Sequence, residues 1–292
     1  MEYRNLGRSG LKVSALSFGA WVTFGPQLDE STAAECMHRA FDAGVNFFDN
    51  AEAYAGGSAE ELMGAVLARS GWSRSEYVVS TKIFWGGPGP NQRGLSRKHI
   101  LEGTDAALRR LGLDYVDILL IHSVATEGAT NHEPFLEALT KMKKEGKTRL
   151  VGVSTHGNEP EVIEAVAKSD VHDVVLTAYN FRQPHLDEMH RTMEMAAKAG
   201  KGIIAMKTQA GVYWDQEREN MIDMKAALKW AISNPNVHTT IPGIDSIAHL
   251  EENASVMNDL TLSAEDKKAL QLSMHRGETG LYCDQCGKCK DQ

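Results

Sequence analysis

Four side chains at the ends of three apolar segments could together deliver a proton to a reacting carbonyl group. Asp49 and Tyr54 follow the apolar segment 45–48, Lys82 ends the next such segment, and His122 ends the one after it. A carbonyl that accepts hydride develops negative charge on its oxygen, and a hydroxyl that donates its proton removes that cost. The four residue types therefore predict an acid–base site for the reduction of a carbonyl.

The types complement one another electrostatically. Tyrosine, with a reference pKa of about 10, is a weak acid at neutral pH unless a cation beside it favours the phenolate, and Lys82 would be that cation. A lysine in a closed site tends to lose its charge on desolvation, which a carboxylate such as Asp49 counters. A neutral His122 could donate a hydrogen bond that orients the carbonyl.

Each of these residues also has a simpler structural explanation. Asp49 could cap a turn, Tyr54 could be a loop aromatic, and His122 could be a histidine with ordinary partners at a rim. Lys82 is harder to explain in this way, since a lysine directly after a buried strand needs a partner or a route to water. Taken jointly, on three successive strand ends, the functional interpretation is favoured.

The elements that must position these residues alternate along the chain. Short apolar segments predict eight strands, namely Ala15–Phe18, Val45–Phe48, Tyr77–Ser80, Tyr115–Ile121, Leu150–Val153, Val174–Leu176, Gly202–Ala205 and Thr239–Ile241. Amphipathic segments between them predict eight helices, namely Asp29–Ala43, Ala59–Arg69, Ser96–Leu111, Glu133–Glu145, Pro160–Lys168, His185–Ala199, Met221–Ser233 and Ser246–Asn253.

Eight strands and eight helices in alternation predict an α/β fold, the (β/α)8 TIM barrel, in which catalytic residues gather at the carboxyl ends of the strands. A doubly wound open sheet is the rival fold, but no Gly-x-Gly-x-x-Gly follows the first strand. The segment 1–16 carries a Gly7-Arg8-Ser9-Gly10 turn and predicts an N-terminal β-hairpin that caps the barrel bottom. We expect one domain over 1–292, with a C-terminal extension over 274–292.

Composition narrows the functional classes. The formal net charge of -8 argues against a protein that grips nucleic acid phosphates. The first twenty residues lack the order of a signal peptide, and the apolar segments are too short to span a bilayer. We therefore expect a cytoplasmic protein with no nucleic acid or membrane partner, for which oligomerisation stays open.

The cysteines do not form a disulfide framework, because Cys36 stands alone and the other three crowd the end of the chain. Cys283, Cys286 and Cys289 have the spacing of iron–sulfur ligands, but a fourth cysteine and a following proline are absent. We expect no functional metal. A three-cysteine cluster, a zinc site completed by another ligand, and free thiols remain the alternatives.

Five motifs carry a resemblance to a known family, and they lie at 47–54, 80–82, 114–122, 152–154 and 241–243. With them the chain is similar to the aldo-keto reductases over essentially its whole length. Residues 1–122 most resemble the branch of potassium-channel β-subunits. The second half, with 152–156 and the terminal cysteines, looks more like a ferredoxin-tailed bacterial branch.

The resemblance implies roles for the tetrad and for a cofactor site. Tyr54 would be the acid/base, Lys82 and Asp49 its tuning pair, and His122 the orienting group, with NADPH as the usual reductant. The dinucleotide would lie across the barrel mouth, with its phosphates near the loops after strands seven and eight. The implied cofactor-binding residues are Gly19, Ala20, Trp21, Asp49, Ser154, Thr155, Asn180, Met206, Lys207, Pro242, Gly243, Ser246, Glu252 and Asn253.

Two positions depart from that pattern. Many relatives place a basic residue after the Pro-Gly pair for the 2′-phosphate of NADP, whereas this chain has the anionic Asp245. NADP is still expected, with NAD as an alternative, since Lys207 and His249 lie nearby. Met206 stands where relatives often stack an aromatic on the nicotinamide, and methionine can also cover a flat ring.

Aromatic side chains on the loops around the predicted mouth suit a small or medium carbonyl substrate. The expected substrate residues are Trp21, Tyr54, Trp85, His122, Tyr213 and Trp214, with Phe24 as a further wall. Two other functions are carried as alternatives. One is a nucleotide-binding, redox-sensing regulatory subunit, against which His122 argues because the channel-type relatives lack it; the other is an iron–sulfur electron-transfer protein.

Overall fold

Eight parallel strands surround a common axis in the computed structural model, which describes residues 1–24 and 30–271. A short antiparallel hairpin precedes them. In chain order the strands are β1 (Tyr3–Asn5), β2 (Lys12–Ser14), β3 (Phe18–Gly19), β4 (Phe47–Asp49), β5 (Val78–Ile83), β6 (Val116–Ile121), β7 (Thr148–Thr155), β8 (Val174–Ala178), β9 (Gly202–Met206) and β10 (Thr239–Ile241).

The sheet closes on itself. Strands β3 to β10 pair in chain order, each parallel to the next. The two ends meet where Leu16 bridges Thr240 in parallel, with the Ser17 amide donating to the Thr240 carbonyl at 2.8 Å. The predicted barrel is therefore confirmed over the open sheet, and its first strand lies slightly later in the chain than 15–18 because residues 15–17 form the closing seam.

Helices alternate with the strands as predicted. They are α1 (Ala20–Thr23), α2 (Glu30–Asp42), α3 (Ser58–Ser70), α4 (Arg97–Leu111), α5 (Glu127–Thr130), α6 (Glu133–Lys144), α7 (Glu159–Lys168), α8 (Leu186–Lys198), α9 (Met224–Ser233), α10 (Ile247–Ser255) and α11 (Ala264–Ala269). The prediction missed α1, α5 and α11, which are too short to show a period. Helix α9 begins later than Met221 because Asp223 caps it, accepting from the Ala226 amide at 2.9 Å.

Alternation along each strand decides which side chains face the barrel axis. On β6, Ile118 and Leu120 lie in the inner apolar cluster of the barrel, whereas Leu119 and Ile121 pack outward against the helices. The next inward position after Leu120 is His122. On β5 the same alternation places Val78 in the inner cluster and makes Lys82 face inward four residues later. Lys82 and His122 therefore lie above the apolar interior, at the carboxyl ends of the strands.

The hairpin of β1 and β2 closes the opposite end of the barrel, as predicted. Leu6, 1% exposed, and Val13 belong to the inner apolar cluster together with Phe47 and Leu176. Gly202 lies against this hairpin, since a Cβ there would be 2.7 Å from the Leu6 side chain. The hairpin thus covers the end of the barrel opposite to the carboxyl ends of the strands.

No helix in the described ranges is both long and apolar enough to cross a membrane.

Candidate active site

A buried ion pair forms the base of the barrel mouth. Strands β4 and β5 are neighbours, and the Lys82 Nζ donates to Asp49 Oδ2 at 2.5 Å and to the Asn50 carbonyl at 2.9 Å. The Ser80 hydroxyl donates to the other Asp49 oxygen at 2.6 Å, which fixes the plane of the carboxylate. The Lys82 side chain is 1% exposed, so its charge depends on these partners.

Tyr54 completes the coordination of the lysine. Its hydroxyl oxygen lies 3.1 Å from Lys82 Nζ, and the residue begins the 3-10 turn Tyr54–Gly57. An ammonium group has three hydrogens and no lone pair, so Lys82 must be the donor in this contact. Its three hydrogens are then used on Asp49, Asn50 and Tyr54, and the phenolic hydrogen of Tyr54 is directed away from Lys82.

The loop that carries Tyr54 is held by a second buried pair, which the sequence analysis did not identify. Glu52 accepts from the Phe84 amide at 2.5 Å and lies 3.1 Å from His99 Nε2. Both side chains are nearly fully buried. A Cβ at Gly86 would lie 2.8 Å from the Glu52 carboxylate, so the two loops after β4 and β5 are packed together. The available signal was an acidic residue within an apolar segment, which demands a partner.

Burial sets the protonation of the pair. Burial raises the pKa of Tyr54, and the attraction of Lys82 offsets that rise only in part. Lys82 lowers the pKa of the phenol, as expected, but desolvation of the phenolate is the larger effect and the net shift is upward. For Lys82, burial lowers the pKa, but Asp49 and Tyr54 together outweigh it and the pKa is raised, as expected for a retained ammonium.

His122 lies beside this pair. Its ring centroid is 5.8 Å from that of Tyr54 at an angle of 75°. Burial, then Lys82 and His156, lower the pKa of His122 to about 2, so the ring is neutral at physiological pH. Its Nδ1 is buried without a hydrogen-bond partner among the described residues. The condition for an orienting hydrogen bond, an uncharged imidazole, is met.

A further histidine adjoins His122 and was given no role in the sequence analysis. His156 follows β7, and its ring centroid lies 6.3 Å from that of His122. Burial, then Lys207 and Lys82, lower its pKa to about 3. The signal that could have found it is strand parity, since His156 lies two residues after the inward-facing Ser154.

The rim next to Tyr54 is aromatic. The Trp21 ring lies edge-on at 4.8 Å from the Tyr54 ring and is 64% exposed. Trp85 is also exposed and packs against Phe84. Phe24 is 4% exposed and packs on Phe18 in the core, so it does not line the rim as expected.

The other two expected rim residues lie in the loop after β9. Arg182 donates to the backbone carbonyls of Tyr213 and Trp214, at 3.2 and 3.4 Å. The Trp214 ring packs against Phe181 and beneath the Arg182 guanidinium. Trp214 therefore serves at least in part to hold the loop.

Two polar residues predicted for the nicotinamide carboxamide are both fully buried at strand ends. The Ser154 hydroxyl accepts from the Ser123 amide at 3.0 Å and keeps its own hydrogen without an acceptor among the described residues. Asn180 donates to the Lys207 carbonyl at 3.2 Å and accepts from the Arg182 amide at 3.0 Å. An amide has two hydrogens, so Asn180 still has one to donate, and the pair fits a carboxamide.

The other predicted cofactor residues differ in whether their side chains point toward the barrel mouth. Thr155 follows Ser154, points the other way along the strand alternation, and donates to the Gly157 carbonyl at 2.8 Å, so it is not brought to the mouth. Met206 ends β9 and packs on the inner cluster. A Cβ at Gly19 would lie 2.6 Å from the Ile241 side chain, which explains the glycine at this strand end. Ala20 follows it and is buried at the start of α1.

The loop after β10 leads into the N-terminus of α10. Pro242 is buried and Gly243 exposed, and the Ser246 hydroxyl caps the helix by accepting from the His249 amide at 3.2 Å. Asn253 is buried and donates to the Gly243 carbonyl at 3.2 Å. Its side-chain oxygen accepts from Gln209 at 3.0 Å, a contact that joins this loop to the one after β9.

The remaining predicted positions lie at the edge of this region. Lys207 is exposed, with a left-handed φ of 54°. Glu252 is half-buried on α10. Asp245 lies within hydrogen-bond distance of the His249 ring one turn along, so its carboxylate already has a partner.

The absence of a functional metal stays a prediction. Cys283, Cys286 and Cys289 lie outside the described residues. Within residues 1–24 and 30–271, no group of three or more histidine, cysteine, aspartate or glutamate side chains could hold a metal ion.

The fold and the site define a closed (β/α)8 barrel with a buried Asp–Lys–Tyr cluster and neutral histidines at its mouth. The model of the Aldo/keto reductase family matches residues 15–226, and the chain belongs to this family. Family membership supports an oxidoreductase function that uses a nicotinamide nucleotide.

Two relatives match along most of the chain. A probable voltage-gated potassium channel subunit beta from Arabidopsis thaliana is 37% identical over 307 aligned residues, covering 90% of this chain and 93% of that protein. Its counterpart in Oryza sativa subsp. japonica is 34% identical with the same coverage. Among solved structures, the aldo-keto reductase AKR11C1 from Bacillus halodurans in its holo form has a TM-score of 0.76 at 23% identity. That match covers 94% of this chain and 99% of the other, and it shows the shared fold.

Proposed function

We propose that this protein reduces aldehydes or ketones to alcohols, reversibly, with a reduced nicotinamide nucleotide and with Tyr54 as the proton donor. One observation carries the proposal. Lys82 spends its three hydrogens on Asp49, Asn50 and Tyr54, which directs the phenolic hydrogen of Tyr54 away from the lysine. A proton is thereby held where a substrate oxygen can accept it, and a cation stands ready for the phenolate that remains.

The raised pKa of Tyr54 fits this direction of proton flow. At neutral pH the buried phenol keeps its proton until a stronger base forms beside it, and an alkoxide is such a base. Because Lys82 is already hydrogen-bonded to the phenolic oxygen, the negative charge left on that oxygen is stabilised without reorganisation. Asp49 holds Lys82 charged and in place.

His122 orients the carbonyl in this proposal. A neutral imidazole donates one hydrogen bond, and the ring lies beside the Tyr54 ring at the same end of the barrel. The carbonyl oxygen would lie between the two groups and Trp21, Trp85 and Tyr213 would cover the remainder of the substrate.

A bound nicotinamide would supply the hydride. Ser154 and Asn180, each with a hydrogen left to donate, would hold its carboxamide, and Met206 would cover its ring. Gly19, Ala20 and Trp21 would line the ribose of the nicotinamide. Pro242, Gly243 and Ser246 would contact the phosphates. Glu252 and Asn253 would contact the adenine. We propose NADP as the nucleotide, with Lys207 near its phosphates and with NAD as the alternative that Asp245 keeps open.

The test combines binding with turnover. Fluorescence titration with NADPH and NADH gives the nucleotide preference, since Trp21 lies against Tyr54 at the mouth and reports on occupancy. Loss of the near-ultraviolet absorbance of the reduced nucleotide is then followed with propanal and a panel of other carbonyls. Tight nucleotide binding without turnover of any carbonyl would contradict the proposal.

A further inference from the structure

The buried pair of Glu52 and His99 takes no part in the chemistry proposed for the barrel mouth. Glu52 Oε1 accepts from the Phe84 amide at 2.5 Å and lies 3.1 Å from His99 Nε2, and both side chains are buried. A buried carboxylate with a basic partner is often no more stabilising than well-packed apolar side chains of the same volume. The pair is therefore better explained by what it holds in place.

Glu52 joins three segments of the chain. It lies two residues before Tyr54 in the loop after β4, its carboxylate is bound to the first residue after β5, and His99 lies in the first turn of α4. A Cβ at Gly86 would lie 2.8 Å from Glu52 Oε2, and a Cβ at Gly103 would lie 3.1 Å from it. The loop after β5 and helix α4 thus both pack closely against the Glu52 carboxylate.

The turn that follows Tyr54 has an unfavourable backbone conformation. Ala55 has a φ of 48°, in the left-handed region, which is costly for a residue with a Cβ. A conformation of this kind persists only where the surrounding contacts fix it. On the amino-terminal side of Tyr54, Glu52 supplies such contacts twice, through its carboxylate and through its amide, which donates to the Lys82 carbonyl at 3.1 Å.

Proton transfer from Tyr54 depends closely on where its hydroxyl lies. A displacement of about 1 Å at a reacting centre can lower a rate by roughly 10²-fold. We propose that Glu52 is a positioning residue, which holds the Tyr54 hydroxyl in place beside Lys82 through its contacts with the loop after β5 and with α4. The inference rests on the proposed function, in which Tyr54 is the proton donor. Glu52 acts through Tyr54 and does not contact the reacting atoms.

Glu52→Ala removes the anchor, and the quantity measured is kcat for propanal with the reduced nucleotide that binds more tightly. We expect kcat to fall by roughly 10²-fold, with the dissociation constant of the nucleotide nearly unchanged. Glu52→Gln keeps an oxygen that can accept from the Phe84 amide, and it should recover most of the wild-type kcat. Equal losses in the two variants, or no loss in either, would overturn the inference. Circular dichroism and thermal melting establish that each variant is folded.

A second measurement separates positioning from a general disturbance of the mouth. Tyr54→Phe has no hydroxyl left to position, so adding Glu52→Ala to it should change the residual rate little. The same fold-loss in both backgrounds would show that Glu52 does not act through Tyr54, and would overturn the inference. Single turnovers at high enzyme concentration give the residual rate. If Glu52→Ala does not fold, His99→Leu takes its place in this comparison, because it removes one of the contacts of the Glu52 carboxylate.

Asp117 provides a matched control at the other end of the barrel. It is a buried carboxylate near the amino end of β6 that accepts from the Val79 amide at 2.8 Å and from Arg74 at 2.7 Å. Its partners, a backbone amide and a basic side chain, are of the same kinds as those of Glu52. We expect Asp117→Ala to lower the melting temperature and to leave kcat near the wild-type value. A loss of kcat as large as in Glu52→Ala would assign the effect to stability alone and overturn the inference.

Turnover by the wild type separates the two proposals. If the wild type reduces propanal and Tyr54→Phe does not, the proposed function stands whatever the result at Glu52. Absence of turnover in the wild type, or wild-type turnover in Tyr54→Phe, would remove the proposed function, and the inference with it.

Discussion

The Lys82 ammonium and the Tyr54 hydroxyl lie 3.1 Å apart inside the barrel mouth, with the lysine as the obligatory donor. The direction of this hydrogen bond decides which proton can be donated to a substrate. The ammonium protons are all directed at acceptors of the protein, whereas the phenolic proton is not needed to hold the cluster together. Substitutions at the two positions should consequently have different effects.

Tyr54→Phe removes the proton donor and leaves Lys82 paired with Asp49. We expect kcat for carbonyl reduction to fall by roughly 10²–10⁴-fold, the range for loss of a general acid, with nucleotide affinity nearly intact. Steady-state kinetics and fluorescence titration measure the two quantities. Retention of wild-type turnover would refute the assignment of the acid.

Lys82→Met leaves the buried Asp49 carboxylate without its cation. Because an uncompensated buried charge is costly, we expect a loss of about 3–5 kcal/mol in the free energy of unfolding, together with loss of activity. The double variant Asp49→Asn/Lys82→Met should recover much of that stability and none of the activity. Denaturant unfolding of the three proteins checks this, and equal stability of the single and double variants would contradict the paired arrangement.

Asp245 is expected to influence the choice between NADP and NAD. In the proposed cofactor position, Asp245→Arg exchanges an anion for a cation near the 2′-phosphate and should strengthen NADPH binding relative to NADH by about tenfold or more. Glu265→Arg makes the same charge change at an exposed position on α11 and is the matched control. If the ratio of the dissociation constants for NADPH and NADH changes equally in Asp245→Arg and Glu265→Arg, the effect of residue 245 is only that of long-range charge.

Three histidines predict a loss of stability in acid, two of them buried (His122 and His172) and one partly buried (His156). Burial is the first cause that lowers the pKa of His122, His156 and His172, to about 2, 3 and 4 respectively. Below about pH 6.5 these histidines bind protons in the unfolded chain but not in the folded chain. The stability that the neutral rings contribute is therefore present above that pH and is lost as the pH falls toward the pKa values of the folded state. Each histidine should cost about 1.4 kcal/mol per pH unit over that interval.

Chemical denaturation at pH 7 and pH 5 measures the effect. His156→Phe removes one of the three groups and should make the free energy of unfolding less steep with pH than in the wild type. An equal slope in the two proteins would mean that His156 is not buried as a neutral ring.

Gly152 tests the packing of the barrel wall. A Cβ at this position would lie 1.9 Å from the Val174 carbonyl oxygen, in the register between β7 and β8. We expect Gly152→Ala to destabilise the protein by about 1–3 kcal/mol or more, because two backbones must separate. Gly128→Ala, in α5, meets no atom within 4 Å and should be neutral or slightly stabilising. Similar melting temperatures for the two variants would contradict the close approach.

Much of the site was predictable because it depends on order and parity along the chain. Asp49, Lys82 and His122 each come at the end of an apolar segment, and parallel strands in a closed barrel must bring their carboxyl ends to one face. Tyr54 could be added because its loop follows directly from β4. These inferences need only the strand period and the number of strands, both of which are local properties of the sequence.

The residues that were missed depend on contacts between distant segments. Glu52 and His99 are 47 positions apart, and nothing in the local pattern of either shows that they meet. His156 had the right parity but acquires its meaning only from the neighbouring ring of His122. Phe24 was placed on the rim by its loop position, yet the path of α1 turns it onto Phe18 in the core.

By itself, the sequence determined the barrel, its order of strands, the hairpin that closes it and the set of residues able to do acid–base chemistry. Only the tertiary structure decided how protons are distributed among them. The raised pKa of Tyr54 and the neutral state of His122 and His156 follow from burial. Lys82 stays charged, and so must donate, because Asp49 and Tyr54 outweigh its burial. Desolvation depends on everything that surrounds a group in space, and no local stretch of residues contains that information.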